Sequence, residues 1–185
     1  MNVLTSNETL EDTVLNILKS DEFNILIPNT PDVTRSLEDW GRDNPIDETE
    51  PEKNAFVLLL ASRGYELLGW FKEAGVCYQR AEELLYRTYL GTNKIRGILF
   101  KKSAECHVQA SKQASDFRKK RFRQVDAAHS FIKASWEFYK GKYIEEAKSC
   151  LYKAELYARY AHLRLNKFSY IKRIFGEYDR DPGMN

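Results

Sequence analysis

Seven consecutive residues, Phe117-Arg118-Lys119-Lys120-Arg121-Phe122-Arg123, hold five cations and two aromatics. Lys101, Lys102 and Lys112 come shortly before them. Cations at that density neutralise phosphates and release counterions, and interleaved aromatics stack on unpaired bases. Arg118, Lys119, Lys120, Arg121 and Arg123 are therefore the candidate contacts for nucleic acid or an acidic protein tail. The commoner fate of such a run is a solvated helix start whose Phe117 and Phe122 pack inward. A second candidate set is aromatic: Trp70, Tyr152, Tyr157 and Tyr160. On one helix the three tyrosines cannot all face inward together with Leu151, Ala154 and Leu156. Some are expected to line a groove that takes extended segments or helices.

The residue types that carry enzyme chemistry lack its spacing. His107, His129 and His162 are the only histidines, and no His-Glu-x-x-His pair exists. They are expected as partly exposed helix residues. Cys106 and His107 are adjacent, so on a helix they project to different sides and do not form a nucleophile–base pair by themselves. Gly-x-Ser-x-Gly is absent, and so is the Gly-x-x-x-x-Gly-Lys-Ser/Thr loop, which excludes phosphate binding of that kind. Glu82-Glu83 and Glu145-Glu146 fit solvated helical faces. Cys77, Cys106 and Cys150 are odd in number and contain no Cys-x-x-Cys. Buried, reduced thiols are expected, in an intracellular compartment, cytoplasmic or nuclear. These patterns imply no catalysis, metal or cofactor.

The elements must position those candidates. A chain of 185 residues suits one domain, and 43% apolar with 30% charged residues is globular composition. The net charge of +2 hides an asymmetry: residues 1–53 carry 13 acids against 4 bases, a net of −9, which leaves +11 on the rest. An acidic leader and a basic body attract each other or serve different partners. The first residues lack a basic segment followed by an apolar one, and the longest apolar run, residues 55–61, falls well short of the ~20 that span a bilayer. No membrane association is expected.

Leu10, Val14, Ile17 and Leu18 repeat at helical spacing and predict a helix over 8–20, capped by Asn7 or Thr9. Residues 23–27 form an extended apolar segment without an evident partner strand. Pro28, Pro31, Pro45 and Pro51 mark 28–53 as a linker with one short helix near 36–40. From Glu52 onward helices are expected at 52–68, 71–90, 94–115, 118–140, 143–160 and 163–178, with Gly69, Gly91, Gly141 and Asn166 at the turns. The organisation is an acidic leader at 1–53, a helical domain at 54–178 and a tail at 179–185.

Shifted by 73 residues, the chain matches itself. Ala61-Ser62 falls on Ala134-Ser135, Tyr65 on Phe138, Ala74 on Ala147, Cys77 on Cys150, and Ala81-Glu82 on Ala154-Glu155. Leu90 falls on Leu163, and Asn93-Lys94 on Asn166-Lys167. Two helices cross closely only where side chains are small, with large residues filling the space beside the contact. The sets Ala61, Tyr65, Ala74, Tyr78, Ala81 and Ala134, Phe138, Ala147, Leu151, Ala154 resemble the tetratricopeptide pattern. That resemblance implies an all-α fold, an irregular tetratricopeptide-like stack of antiparallel helix pairs (an α-solenoid), with a partly ordered acidic N-terminal segment. The usual unit is about 34 residues, the stretch 88–122 is longer and more charged than a unit, and the closing proline is missing. The array is thus closer to a soluble-NSF-attachment-like or helicase-associated one. The order of elements over residues 36–175 is similar to the helical-repeat region of large fungal proteins related to UvrD-like helicases and to the tetratricopeptide-and-ankyrin-repeat family. The resemblance implies an interaction scaffold for a protein or peptide partner, or a helicase accessory region that contacts nucleic acid. Uncapped ends of such an array favour self-association.

Overall fold

The computed structural model describes residues 10–19, 31–43, 52–87 and 91–163. Among them are seven helices and no strand: α1 (Leu10–Lys19), α2 (Pro31–Asp43), α3 (Glu52–Leu67), α4 (Phe71–Arg87), α5 (Asn93–Gln113), α6 (Phe117–Lys140) and α7 (Ile144–Tyr160). The chain is all-α over these residues. From α2 to α7 each helix packs on the next in sequence, and α1 packs on α3. The expected caps Asn7 and Thr9, the extended segment 23–27, the helix beyond Leu163 with its turn residue Asn166, and the tail 179–185 lie outside the described residues.

The short helix expected near 36–40 is longer, at 13 residues. Pro31 suits its first position, where a missing N–H costs nothing. One carboxylate of α2 meets two helices of the body. Glu38 accepts from Tyr65 Oη at 2.6 Å on α3 and from Arg80 at 2.7 Å on α4, and Thr34 is fully buried. Part of the acidic stretch is therefore built into the packed helices.

The small residues of the 73-residue match form the seams. Ala61, Ser62, Tyr65, Ala74, Cys77, Tyr78 and Ala81 are buried, and so are Ala134, Ser135, Phe138, Ala147, Cys150, Leu151 and Ala154. In the second set Ser135 Oγ donates to the Ala147 carbonyl at 2.8 Å, a direct bond from α6 to α7. In the first, Ser62 Oγ bonds within α3 to Leu58. The match extends to the turns: Trp70 N donates to Tyr65 O, and Tyr143 N donates to Phe138 O. In each, the residue just before takes the left-handed conformation, Gly69 at φ 73° and Lys142 at φ 66°. Gly141, expected as the turn residue, has φ −81°. Its missing side chain serves a close approach instead, since a Cβ there would lie 2.9 Å from the Tyr143 ring.

Two apolar cores result, one around Leu58, Tyr78 and Leu99, the other around Phe100, Phe131 and Ala154, with Ile98 packed against both. A buried ion cluster crosses the same region. Arg96 on α5 lies 2.6 Å from Glu82 on α4 and 3.1 Å from Glu137 on α6, and Lys140 lies 2.8 Å from Glu137. The Arg96 guanidinium also sits 4.2 Å from the Tyr86 ring centroid. Removing the shared cation leaves two buried carboxylates without it, a loss of about 3–5 kcal/mol for a buried pair broken on one side. Arg96→Ala is thus expected to cost several kcal/mol in a urea unfolding titration. A change below about 1 kcal/mol would mean that the cluster is wetter than its geometry indicates.

Candidate functional site

The basic run lies at the start of α6. Asp116 caps the helix, its carboxylate accepting from Arg118 N at 2.6 Å. The first buried residue of α6 is Ala127, so the helix begins well before the core does. Phe117 and Phe122 are consequently 68% and 66% exposed. The expectation that they pack inward is wrong: no described element covers them. At 3.6 residues per turn, Phe117, Arg121, Val125, Arg118 and Phe122 fall within an arc of about 140°. One stripe of the helix thus alternates rings and guanidinium groups. Arg118, Lys119, Lys120 and Arg121 are all exposed. Arg121 Nε donates to the Ala161 carbonyl at 2.9 Å, at the end of α7. Arg123 is half-buried and pairs with Asp126 at 2.9 Å.

The opposite side of the same two turns borders a cleft. Lys119 and Arg123 line it together with Trp70, Phe71 and Lys72 from the α3–α4 turn and Gln113 from the end of α5, around 640 Å³. Gln113 Nε2 donates to the Gly69 carbonyl at 3.2 Å and ties the turn to α5. Trp70 is held from two directions. Tyr65 stacks on it at 5.9 Å, and the Arg35 guanidinium lies 5.6 Å from its ring centroid. The fold thus joins Trp70 to the basic run, a pairing the sequence did not indicate. Lys72 and Gln113 carried no signal either, since each becomes part of the cleft only through the packing of α4 and α5.

The tyrosines lie elsewhere, so the four candidate aromatics do not share one groove. Tyr152 and Tyr157 line a 340 Å³ groove with Val108 of α5, Phe131 of α6, and Lys153 and Leu156 of α7. Tyr152 is 69% exposed and Tyr160 54%. Tyr157 stacks on Phe131 at 6.0 Å and meets Tyr160 edge-on at 5.8 Å. Lys153 spans the groove, with Nζ 3.6 Å from Glu105 and 5.5 Å from the Phe131 ring centroid.

The titratable core groups are tuned away from reactivity. All three cysteines are free and buried. Burial, aided by Glu38, pushes the Cys77 thiol up to about 12. Burial pushes Cys150 up to about 11. Burial and the neighbouring Glu66 carboxylate raise Cys106 as well. Thiols held protonated are poor nucleophiles. His129 and His162 are exposed, but His107 is only 2% exposed, against the expectation for a helix histidine. The reason is Gly75 on α4, which makes room for the ring: a Cβ there would lie 2.9 Å from it. His107 Nδ1 has no hydrogen-bond partner among the described residues. Burial lowers its pKa to about 4, with Asp126 opposing and Arg123 assisting. Among the described residues no group of three His, Cys, Asp or Glu is placed to hold a metal ion. No described helix is long and apolar enough to cross a membrane.

No protein-family model matches the chain, and no curated protein or solved structure matches it either.

Two outcomes follow from the geometry. Phe117→Ala and Phe122→Ala should each change stability by less than about 0.5 kcal/mol, as exposed positions do. Phe131→Ala, at 1% exposure, should cost about 3–5 kcal/mol. Equal losses in thermal melts would place the two exposed rings in a core. His107 is neutral in the fold because its pKa is depressed from 6.5 to about 4. Its contribution is therefore complete above pH 6.5 and lost as pH falls toward 4, by about 3 kcal/mol. His107→Gln should flatten that acid limb in urea titrations run from pH 7 to pH 4. An unchanged limb would exclude His107 as its source.

Proposed function

We propose that this chain is a non-catalytic interaction module of the helical-repeat type, in which stacked helix pairs offer a groove to a segment of a protein partner. The observation that carries this reading is the set of tyrosines on α7. Tyr152 and Tyr160 stay more than half exposed beside a groove that Tyr157 and Phe131 floor. Tyrosine offers a large amphipathic surface at a low cost in side-chain entropy, and it is enriched where proteins meet. The buried small-residue seams repeated 73 residues apart support the tetratricopeptide-like part of the reading. In such a module shape and charge select the partner, and no bond is made or broken.

A second reading rests on a different observation. Exposed Phe117 and Phe122 beside Arg118 and Arg121 favour an accessory region, of the kind found near UvrD-like helicases, that contacts nucleic acid through residues 117–123. The rings would stack on unpaired bases while the cations meet phosphates.

Salt separates the two. A labelled single-stranded 20-mer and a duplex of the same length are titrated with the full chain at 50 mM and 200 mM salt. Four cations on phosphates of a single strand give a log–log slope of about −3. The second reading expects that slope and its loss in the Arg118→Glu, Lys119→Glu, Lys120→Glu, Arg121→Glu variant. The leading reading expects peptides selected from a displayed library to bind with little salt dependence. Tyr152→Ala with Tyr160→Ala should then weaken them at least about tenfold. Selected peptides that bind this double variant as well as the native chain would remove the groove reading.

A further inference from the structure

α1 is ten residues long. Isolated helices below about 12–15 residues are marginal in water, so α1 depends on what it packs against. Val14, Ile17 and Leu18 supply that contact, at 0%, 4% and 5% exposure, in the core that also holds Leu58, Leu59 and Leu99. Its principal contact is α3.

α1 does not fill the face on which it lies. Leu15 and Leu18 form one wall of a 360 Å³ groove whose other walls are Ile98 and Lys101 of α5, Phe138 of α6, and Tyr143. The floor is apolar and continues the surface under α1, since Ile98 packs against both cores. The rim is cationic on the α5 side, where Lys94, Lys101 and Lys102 lie along the groove, with Glu105 and Glu146 as its acids. Lys94 Nζ sits 5.5 Å from the Tyr143 ring centroid, and Lys102 lies 4.0 Å from Glu66. The occupant is complementary: α1 reads Leu-Glu-Asp-Thr-Val-Leu-Asn-Ile-Leu-Lys, with Glu11 and Asp12 in its first turn, and it belongs to a 53-residue stretch of net charge −9.

We propose that this face is a docking groove for an acidic amphipathic helix of a partner protein, and that α1 is a tethered stand-in that must leave before the partner seats. The proposal rests on the interaction-module reading and gives that module a second, regulated site. The partner helix it fits has acids in the first turn and apolar residues at the i, i+3, i+4 spacing of Val14, Ile17 and Leu18. Eleven residues, 20–30, join α1 to α2, so the docking of α1 is intramolecular and is favoured over that of a free helix. A free helix of similar affinity therefore competes poorly until α1 is weakened.

The probe is a fluorescein-labelled peptide of residues 7–20, followed by anisotropy against the full chain. Val14→Asp with Leu18→Asp frees the groove by unseating α1. Asn16→Pro does so by breaking the helix at an exposed position, without placing charge in the core. Circular dichroism melts identify whichever variant keeps the remaining helices. The opened chain should bind the peptide at least about tenfold more tightly than the unmodified chain. Adding Lys101→Glu and Lys102→Glu should reduce that binding at least about fivefold. Equal binding by opened and unmodified chains, no binding by the opened chain, or indifference to the lysine reversals would each overturn the proposal. Dimers of the unmodified chain that exchange α1 would put a second copy in the groove and overturn the partner assignment. These readouts use neither the α7 tyrosines nor residues 117–123, so failure here is distinct from failure of the interaction-module reading.

Discussion

Three consecutive helices converge on one guanidinium. Arg96 reaches Glu82 on α4 and Glu137 on α6 from its place in the first turn of α5, and each of the three side chains is at least 85% buried. A planar fork of fixed reach satisfies two carboxylates on opposite sides in few arrangements. α5 therefore has little freedom to slide or rotate between its neighbours. The next residue adds a steric lock. Gly97 lets the Phe138 ring come so close that a Cβ would lie 2.8 Å from it. The adjacent pair Arg96-Gly97 thus meets the adjacent pair Glu137-Phe138, charge on charge and backbone on ring. The cluster sets position more than it adds stability. Burial is the largest influence on the Glu82 carboxyl and, with the neighbouring Glu137, leaves its pKa raised in spite of Arg96. A buried ion pair of this sort is easily outdone by apolar packing and is costly to break from one side.

Two more carboxylates act in the same way. Glu66 on α3 accepts from Tyr78 Oη of α4 at 3.1 Å and lies within 3.4 Å of Cys106 Sγ on α5. Glu38 on α2 gathers Tyr65 and Arg80. A carboxylate at a seam thus collects donors from two following helices, while alanines let the backbones approach. Small residues alone leave a seam free to slip by a turn, because alanine offers neighbouring helices no distinctive shape. Carboxylates with fixed partners remove that freedom. The α3–α4 turn, which carries Trp70 into its cleft, lies between helices that these contacts join.

Sequence pattern revealed the parts whose physics is local. Helices α3 to α7 followed from apolar spacing and turn residues, and the seam residues from small side chains repeated at a fixed shift. Burial of Ala61, Ala74, Ala134 and Ala147 needed no knowledge of what lies opposite. What stayed hidden depends on neighbours far along the chain. His107 looks like any polar helix residue until Gly75 is known to face it. Phe117 and Phe122 look like core residues until α6 is seen to start before its neighbours. The left-handed residue after α6 is Lys142, at the position that Gly69 holds after α3, while Gly141 lies one residue earlier. Trp70, Lys119 and Arg123 share a cleft although about fifty residues separate the first from the others. The tyrosines of α7 were legible as partly exposed from helical geometry, but not their separation from Trp70.

At the start of α6 the sequence works against its own helix. The N-terminal end of a helix carries partial positive charge, which favours acids and disfavours cations. Here the first seven residues contain five cations, and the first turn holds no acid. Cations three and four residues apart also repel one another along the surface. Asp116 offsets part of this by capping, and Arg121 by its bond to the Ala161 carbonyl. Neither compensates for two exposed phenylalanines. A helix start chosen for stability would place acids at 117–120 and keep rings in the core, as α7 does with Glu145 and Glu146 in its first turn. Local rules broken without a compensating contact are expected where a surface is shaped for a partner rather than for the fold. An anion at that helix end would relieve both the unfavourable helix charge and the repulsion among the exposed cations.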